Sequence, residues 1–216
     1  ITLGVEKYYD VEIERLGIPL HNVAYRDGRL AALWRIRRLV YGADVVCCWL
    51  YGANIIGWLV TLGTNARLLW NVRHADLTKR SNKLAVRLAA RGAALLTSRV
   101  ALIAYNGNRS REIHEKIGYP RRKGVVLGNG VDLEVFKRQD STLLREKLGL
   151  SSGCRVVMSA ATWHPIKDHE TFLRAFSHVR QADEEAVALM CGSGVDWDNE
   201  ALTKLIDALD LRDCVL

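Results

Sequence analysis

The chain has 216 residues, of which 49% are hydrophobic and 25% are charged. This balance is typical of a packed protein with one large domain or two small ones, so it excludes a chain that lacks a sizeable core. The net charge of +7 indicates an anionic partner, which can be a phosphorylated small molecule, an acidic membrane surface or nucleic acid.

The first part of the chain predicts a regular alternation of helices and strands. Short apolar runs mark the strands, while the helices carry apolar residues at three- and four-residue spacing. In chain order we predict helix 8–16, strand 20–23, helix 30–40, strand 45–50, helix 53–62, strand 67–72, helix 81–96, strand 101–105, helix 109–117 and strand 123–127. In helix 30–40 we expect Leu33, Ile36, Leu39 and Val40 to face the core.

The segment 45–63 carries no charged residue and is about long enough to span a bilayer. A transmembrane helix is therefore one interpretation of it. We favour a buried strand followed by a helix, because Gly52 interrupts the apolar run and the neighbouring segments alternate in the same way.

A second α/β unit begins after a polar stretch at 137–142. Its predicted elements are helix 143–148, strand 155–160, helix 168–180, strand 186–191 and helix 199–209. The inward face of helix 168–180 is predicted from the spacing of Phe172, Ala175, Phe176 and Val179. We place the domain boundary after Phe136, which gives domains 1–136 and 137–216.

This order of elements predicts an α/β fold with parallel sheets covered by helices, in which ligands bind at the carboxyl ends of the strands. No methionine or signal peptide opens the chain at Ile1, and an apolar run closes it at Leu216. We therefore expect sequence to be missing at both ends.

Five cysteines occur without a C-x-x-C pair and without a Cys/His cluster at metal-binding spacing. They are Cys47, Cys48, Cys154, Cys191 and Cys214. Because each lies in an apolar run, we expect reduced core thiols in a cytosolic protein, and we expect no metal site.

Three loops that follow predicted strands could carry chemistry. The first is Asn129-Gly130-Val131-Asp132, a strong turn signal. The second, 162–168, places Lys167 at a helix entrance, where its ammonium could meet a diphosphate or could simply lie in solvent beside a capping Asp168. The third is Gly192-Ser193-Gly194, whose amides could approach a phosphate or form only a turn.

Taken together, these loops resemble the large family 4 of glycosyltransferases. The resemblance is carried by Val126-Leu127-Gly128-Asn129-Gly130-Val131-Asp132 with Phe136, Pro165-x-Lys167-Asp168 with Thr171-Phe172-Leu173, Cys191-Gly192-Ser193-Gly194, Ala43-Asp44-Val45-Val46 and Trp70-Asn71-Val72-Arg73-His74. It implies the GT-B architecture, in which two Rossmann-like domains face each other across a cleft. The acceptor would bind the first domain and the sugar nucleotide the second.

The resemblance also implies roles for single residues. Lys167 would bind the donor diphosphate, and Gly192, Ser193 and Gly194 would line the nucleotide pocket. His74 would orient the sugar or an acceptor hydroxyl, or else serve only in capping or packing. Arg73 would lie on the acceptor side, while Asn129, Gly130 and Asp132 would hold the interdomain turn.

Two departures from the family pattern concern the donor site. Ala161-Thr162 stands where the family usually has Gly-Arg, and Thr162 cannot make the bidentate diphosphate contact of an arginine. The opening glycine-rich loop and the later E-x7-E segment are absent from these residues. We therefore expect this piece to be inactive by itself.

The resemblance implies transfer of a sugar from a nucleotide-diphosphate sugar to a glycan or lipid-linked acceptor, with retention, in polysaccharide or lipopolysaccharide synthesis. Basic clusters in the first domain make an anionic membrane surface a candidate partner, with a solvated helix face as the alternative. Aromatic residues do not interleave with them, which disfavours nucleic acid. A cytoplasmic protein, free or peripheral on the membrane, is expected. A sugar-nucleotide epimerase and a non-catalytic sugar-nucleotide or membrane-binding module remain the alternative functions.

Overall fold

The structure, a computed structural model, describes residues 1–2, 9–23, 28–78 and 82–216. The chain divides into two compact units, residues 1–130 and 131–216. Each unit contains a parallel sheet and α-helices, so the predicted α/β class with two Rossmann-like units is confirmed. The predicted boundary after Phe136 lies inside the second unit, close to its start.

The first unit is built on a four-stranded parallel sheet with the order β1-β2-β3-β4. Its elements are α1 (Asp10–Arg15), α2 (Arg29–Val40), β1 (Val45–Trp49), α3 (Leu50–Val60), β2 (Arg67–Val72), α4 (Leu84–Leu95), β3 (Val100–Tyr105), α5 (Asn108–Lys116) and β4 (Gly124–Val126). Because all three strand pairings are parallel, the carboxyl ends of the four strands meet at one end of the sheet.

The core of the first unit lies between the central strands and α4. Trp70 and Ile103 are fully buried, and the small side chains of Ala90 and Ala93 pack in the same cluster. Small residues let a helix approach a sheet closely, so α4 can pack directly against the large Trp70 ring.

Three predictions for the first unit were wrong. Gly52 lies inside α3 rather than before it, because packing of buried residues such as Tyr51 and Val60 offsets the roughly 1 kcal/mol helix penalty of glycine. No strand forms at 20–23, where the described pairing is one isolated bridge between Asn22 and Thr2. Leu39 is exposed, since the buried stripe of α2 consists of Ala32, Ile36 and Val40.

The second unit has a two-stranded parallel sheet of β5 and β6. Its elements are α6 (Thr142–Lys147), β5 (Val156–Ala160), α7 (His169–Ala182), β6 (Val187–Cys191) and α8 (Glu200–Ala208). Leu173 and Phe176 of α7 pack with Ile206 of α8 in one buried cluster. Ala175 is exposed, contrary to prediction, because Leu173 occupies the inward face instead.

All five cysteines were predicted to lie in the core, and this prediction was wrong for two of them. Cys48, Cys154 and Cys214 are buried, whereas Cys47 and Cys191 are exposed. All five are free thiols. Cys47 precedes the buried Cys48 on β1 and therefore points to the opposite face of the strand.

The segment 45–63 forms β1, α3 and the turn after them, so the strand-plus-helix interpretation is confirmed. Across the described residues, no helix combines the length and the apolar character that a membrane span requires.

Candidate functional sites at the strand ends

The first candidate site begins where β2 ends, at Arg73 and His74. Burial lowers the pKa of His74, so its imidazole is neutral near pH 7. Its Nδ1 atom is buried and has no hydrogen-bond partner within the described residues. The residue as a whole is partly exposed, and a neutral imidazole can exchange a hydrogen bond with a ligand hydroxyl.

Two neighbours hold His74. The ring of Tyr51 stacks on the His74 ring, with centroids 5.0 Å apart and planes 23° from parallel. The hydroxyl of Ser110, at the start of α5, donates a hydrogen bond to the His74 carbonyl over 2.7 Å. The backbone and the ring of His74 are therefore fixed by different elements of the unit.

A fully buried histidine, His114, connects these two neighbours. Its Nδ1 lies 2.7 Å from the Ser110 carbonyl, and its Nε2 lies 2.6 Å from the Tyr51 hydroxyl. Because a carbonyl can only accept, Nδ1 carries the proton and Nε2 accepts from Tyr51. Burial lowers the His114 pKa, in agreement with this neutral tautomer.

Arg73 is held at the same edge by two contacts. Its guanidinium lies 4.6 Å from the centre of the Trp49 ring. Its Nη1 donates to the side-chain oxygen of Asn129, so the structure brings together two residues that the sequence had placed in separate roles. Asp132 forms its own turn, accepting from the Glu134 amide over 2.9 Å.

The second candidate site joins the loops that follow β5 and β6. The Ala161 amide donates to the Cys191 carbonyl and the Trp163 amide donates to the Ser193 carbonyl, both over 2.8 Å. Gly192 lies between these bonds at φ +149°, and a Cβ there would come within 2.1 Å of the Ala161 oxygen. The close approach of the two loops therefore requires glycine at 192.

The rest of the glycine loop is fixed by α8. Asn199 donates to the Gly194 carbonyl over 2.6 Å, while its oxygen accepts from the first amides of that helix. One side chain thus caps α8 and holds the loop.

Lys167 ends a short 3-10 turn, Pro165–Lys167, on the loop that leads from β5 to α7. Its side chain is exposed and forms no ion pair with any residue that the structure describes. Asp168 occupies the N-cap position of α7 in a left-handed conformation, but its carboxylate accepts from the Thr171 hydroxyl rather than from a helix amide. The Asp168 side chain therefore does not cap α7, although the sequence had suggested this role.

Thr162 is exposed, and its carbonyl lies 3.0 Å from Nε2 of His169, the first residue of α7. The His169 ring stacks on Trp163 with centroids 5.1 Å apart. Thr162 and the glycine loop are brought together through the backbone of 161–163. The described contacts include none between the Lys167 side chain and residues 192–194.

Tyr51, Ser110 and His114 were missed by the sequence analysis. Ser110 and His114 are four residues apart on a predicted helix, which places them on one face. That spacing was the available signal, and nothing in the sequence indicated that Tyr51 would meet that face.

A groove of about 690 Å³ runs along β1 and reaches Trp49 at the end of that strand. It is lined by apolar side chains of α2, β1 and α3, and the thiols of Cys47 and Cys48 are its titratable groups. Burial raises the Cys48 pKa to about 12, so that thiol stays protonated. The groove offers no charged group for transfer chemistry.

Within the described residues, no three His, Cys, Asp or Glu side chains are grouped so that they could hold a metal ion.

Comparison with known proteins gives a family and a fold. A family model described as a glycosyl transferase 4-like domain matches residues 3–130, more than half of the chain. A comparison with curated proteins finds no match.

Solved structures resemble the chain over nearly its whole length. Anabaena HepE in complex with UDP-glucose has a TM-score of 0.80 at 17% identity, covering 98% of this chain and 58% of that protein. A glycosyltransferase from Rickettsia africae has a TM-score of 0.74 at 17% identity, covering 98% and 57%. Sucrose-phosphate synthase from Thermosynechococcus elongatus has a TM-score of 0.67 at 13% identity, covering 88% and 50%. The chain thus spans a little over half the length of these proteins.

Proposed function

Because the chain belongs to the family of glycosyl transferase 4-like domains, we propose that it is part of an enzyme that moves a sugar from a nucleotide-diphosphate sugar to a glycan or lipid-linked acceptor. Retention of configuration, and a place in polysaccharide or lipopolysaccharide synthesis, are parts of the same proposal. The donor is a substrate, and the proposed reaction uses neither a metal nor another cofactor.

One observation carries the proposed donor site: backbone hydrogen bonds to Cys191 and Ser193 join the loops after β5 and β6, and any Cβ at Gly192, between them, would clash. In a parallel α/β unit, ligands bind at the carboxyl ends of the strands, where these loops lie. Loops without Cβ atoms let backbone amides approach phosphate oxygens closely. We assign Gly192, Ser193 and Gly194 to the nucleotide pocket.

Lys167 is the proposed cation for the donor diphosphate. It lies on the loop that is bonded to Ser193, next to the first turn of α7, whose amides carry no side-chain cap. When the sugar departs, negative charge grows on the nucleoside diphosphate, and a fixed cation with amide dipoles lowers that barrier. The departure at Thr162 removes the second cation that an arginine would supply.

His74 is the proposed substrate contact on the first unit. Its ring is neutral and partly exposed, so it is suited to a hydroxyl of the sugar or acceptor. Arg73, which stacks on Trp49, is proposed to lie on the acceptor side.

The net charge of +7 supports an anionic partner besides the donor. We propose a lipid-linked acceptor at an anionic membrane surface, reached from the cytoplasm by a peripheral protein. Vesicles with and without anionic lipid would test this part separately: equal binding to both contradicts it.

The experiment for the donor site is titration of the full polypeptide with UDP-glucose, the ligand of the Anabaena structure, and with other sugar nucleotides. Lys167→Ala should weaken donor binding about 10- to 100-fold, the value of one charge-assisted hydrogen bond. Lys147→Ala is the matched control, since this exposed lysine lies on α6 of the same unit. Unchanged affinity in Lys167→Ala would remove the proposed diphosphate contact.

Product analysis distinguishes the alternative functions. Transfer to an acceptor supports the proposal, whereas isomerised donor without an acceptor indicates an epimerase. Donor binding without any turnover indicates a non-catalytic module, the outcome that the threonine at 162 would favour.

A further inference from the structure

The contacts around His74 form a closed ring of four residues. Tyr51 stacks on His74 and donates to His114, His114 donates to the Ser110 carbonyl, and the Ser110 hydroxyl donates back to the His74 carbonyl. The residues come from α3, the end of β2 and α5. Such a ring restrains His74 at two points, because the Tyr51 ring stacks on its imidazole and the Ser110 hydroxyl binds its carbonyl.

All members except His74 are closed to solvent. Ser110 and His114 are 0% exposed and Tyr51 is 4% exposed, whereas His74 is partly exposed. Every polar side-chain atom of Tyr51, Ser110 and His114 has a partner inside the ring. In contrast, Nδ1 of His74 is left without one among the described residues. The ring therefore satisfies its buried members and leaves the partly exposed His74 as the member that a ligand can reach.

The position of Tyr51 is itself fixed at the turn from β1 into α3. Leu50, directly before it, has φ +70°, a left-handed conformation that is unfavourable for a non-glycine residue. The buried amide of Asn54, oriented to satisfy its neighbours, donates to the Cys48 and Leu50 carbonyls over 3.1 and 3.2 Å. The left-handed turn at Leu50 and the hydrogen bonds of the Asn54 amide fix the backbone next to Tyr51, whose ring stacks on His74.

We propose that Tyr51 and His114 are positioning residues for His74: they hold its imidazole, through the stacked ring and the bond to Ser110, in the orientation that contacts substrate. This inference rests on the proposed function, because it takes His74 as the substrate contact. Neither residue touches substrate, so both act through His74.

The decisive experiment is a double-mutant cycle in the full polypeptide. Tyr51→Leu removes the stacked ring and should lower kcat about 100-fold, the effect of misplacing a reacting group by about 1 Å, with donor KM within about twofold. In the His74→Ala background the same substitution should change kcat by less than about twofold, because the group it positions is gone. Equal losses in both backgrounds would overturn the proposal, since a merely structural role predicts that result.

Conservative variants sharpen the cycle. Tyr51→Phe keeps the stacked ring and loses only the hydroxyl, so kcat should fall only about fivefold, far less than in Tyr51→Leu. His114→Asn keeps a donor near the Ser110 carbonyl and loses the acceptor for Tyr51, so its effect should not add to that of Tyr51→Phe. Tyr41→Leu, at an exposed tyrosine of the same unit, is the control. If the losses of kcat in Tyr51→Phe and His114→Asn add fully in the double variant, the two residues do not act through one shared hydrogen bond, and the proposal is contradicted.

A measurement without turnover separates this inference from the proposed function. Imidazole nuclear magnetic resonance signals of His74 report the stacked tyrosine ring, and they should shift in Tyr51→Leu and stay near wild type in Tyr51→Phe. Unchanged His74 signals in folded Tyr51→Leu would overturn the positioning role even if sugar transfer is observed. If the His74 signals shift in Tyr51→Leu but the wild-type protein transfers no sugar, the positioning role of Tyr51 is supported and the proposed glycosyltransferase function is rejected.

Discussion

The two candidate sites are built from different parts of the polypeptide. In the first unit, buried side chains of Tyr51, His114 and Ser110 hold His74. In the second, backbone bonds between two loops hold the glycine segment, and the Asn199 side chain adds one bond to Gly194. The first site should lose its geometry when one buried polar side chain is removed. The second site should lose its geometry when a substitution, such as one at a glycine, changes the conformations open to the backbone.

The largest expected effect breaks the backbone site. Gly192→Ala places a Cβ 2.1 Å from the Ala161 oxygen at φ +149°, so one loop must move. We expect a loss of about 3 kcal/mol or more in the free energy of unfolding, from overpacking and backbone strain together. Urea unfolding with hydrogen exchange over residues 156–191 measures it. Gly153→Ala, where a Cβ meets nothing within 4 Å, should be nearly neutral, and equal losses would contradict the argument.

The next effect breaks the side-chain site. His114→Leu leaves the Tyr51 hydroxyl and the Ser110 carbonyl without their buried partner, so unfolding free energy should fall by about 2–3 kcal/mol. Hydrogen exchange should rise over residues 100–126 and not over 156–191. A uniform rise in both units would show that the network is not confined to the first site.

A smaller effect tests whether the second site also depends on one side chain. Asn199→Ala loses both the α8 cap and the bond to Gly194, about 1–2 kcal/mol. Asn199→Ser keeps a capping oxygen and loses the bond to Gly194, so its cost should be about half as large. If the serine variant matches alanine in unfolding free energy, the loop contact rather than the cap is the stabilising one.

The smallest effect concerns pH. Burial lowers the pKa of both His74 and His114 below the ordinary 6.5, so below that pH the unfolded chain binds more protons than the folded one. The contribution of these histidines to stability should be complete above pH 6.5 and should decline as the pH falls towards their folded pKa values. Urea midpoints at pH 7.5 and 5.5 measure the decline. His114→Leu should show a smaller drop, and an identical drop would exclude His114 as a source.

Several features of the fold were predictable because they are local. The apolar runs at 67–72 and 187–191 became buried strands, and the spacing in helix 168–180 indicated its amphipathic character. Gly52 was misjudged for a physical reason: helix propensity is worth about 1 kcal/mol, and packing of α3 outweighs it.

The α/β class, the strand ends where chemistry can occur and the glycine loop at 192–194 can be read from the residues alone, because periodicity and turn residues act over a few positions. The contacts of Tyr51 with His114, 63 residues away, and with His74 arise from the tertiary packing alone. Periodicity states which face of an element is buried, but not which side chain of another element will pack against it. That choice is made by the crossing of helices over the sheet, where the buried polar groups must find partners.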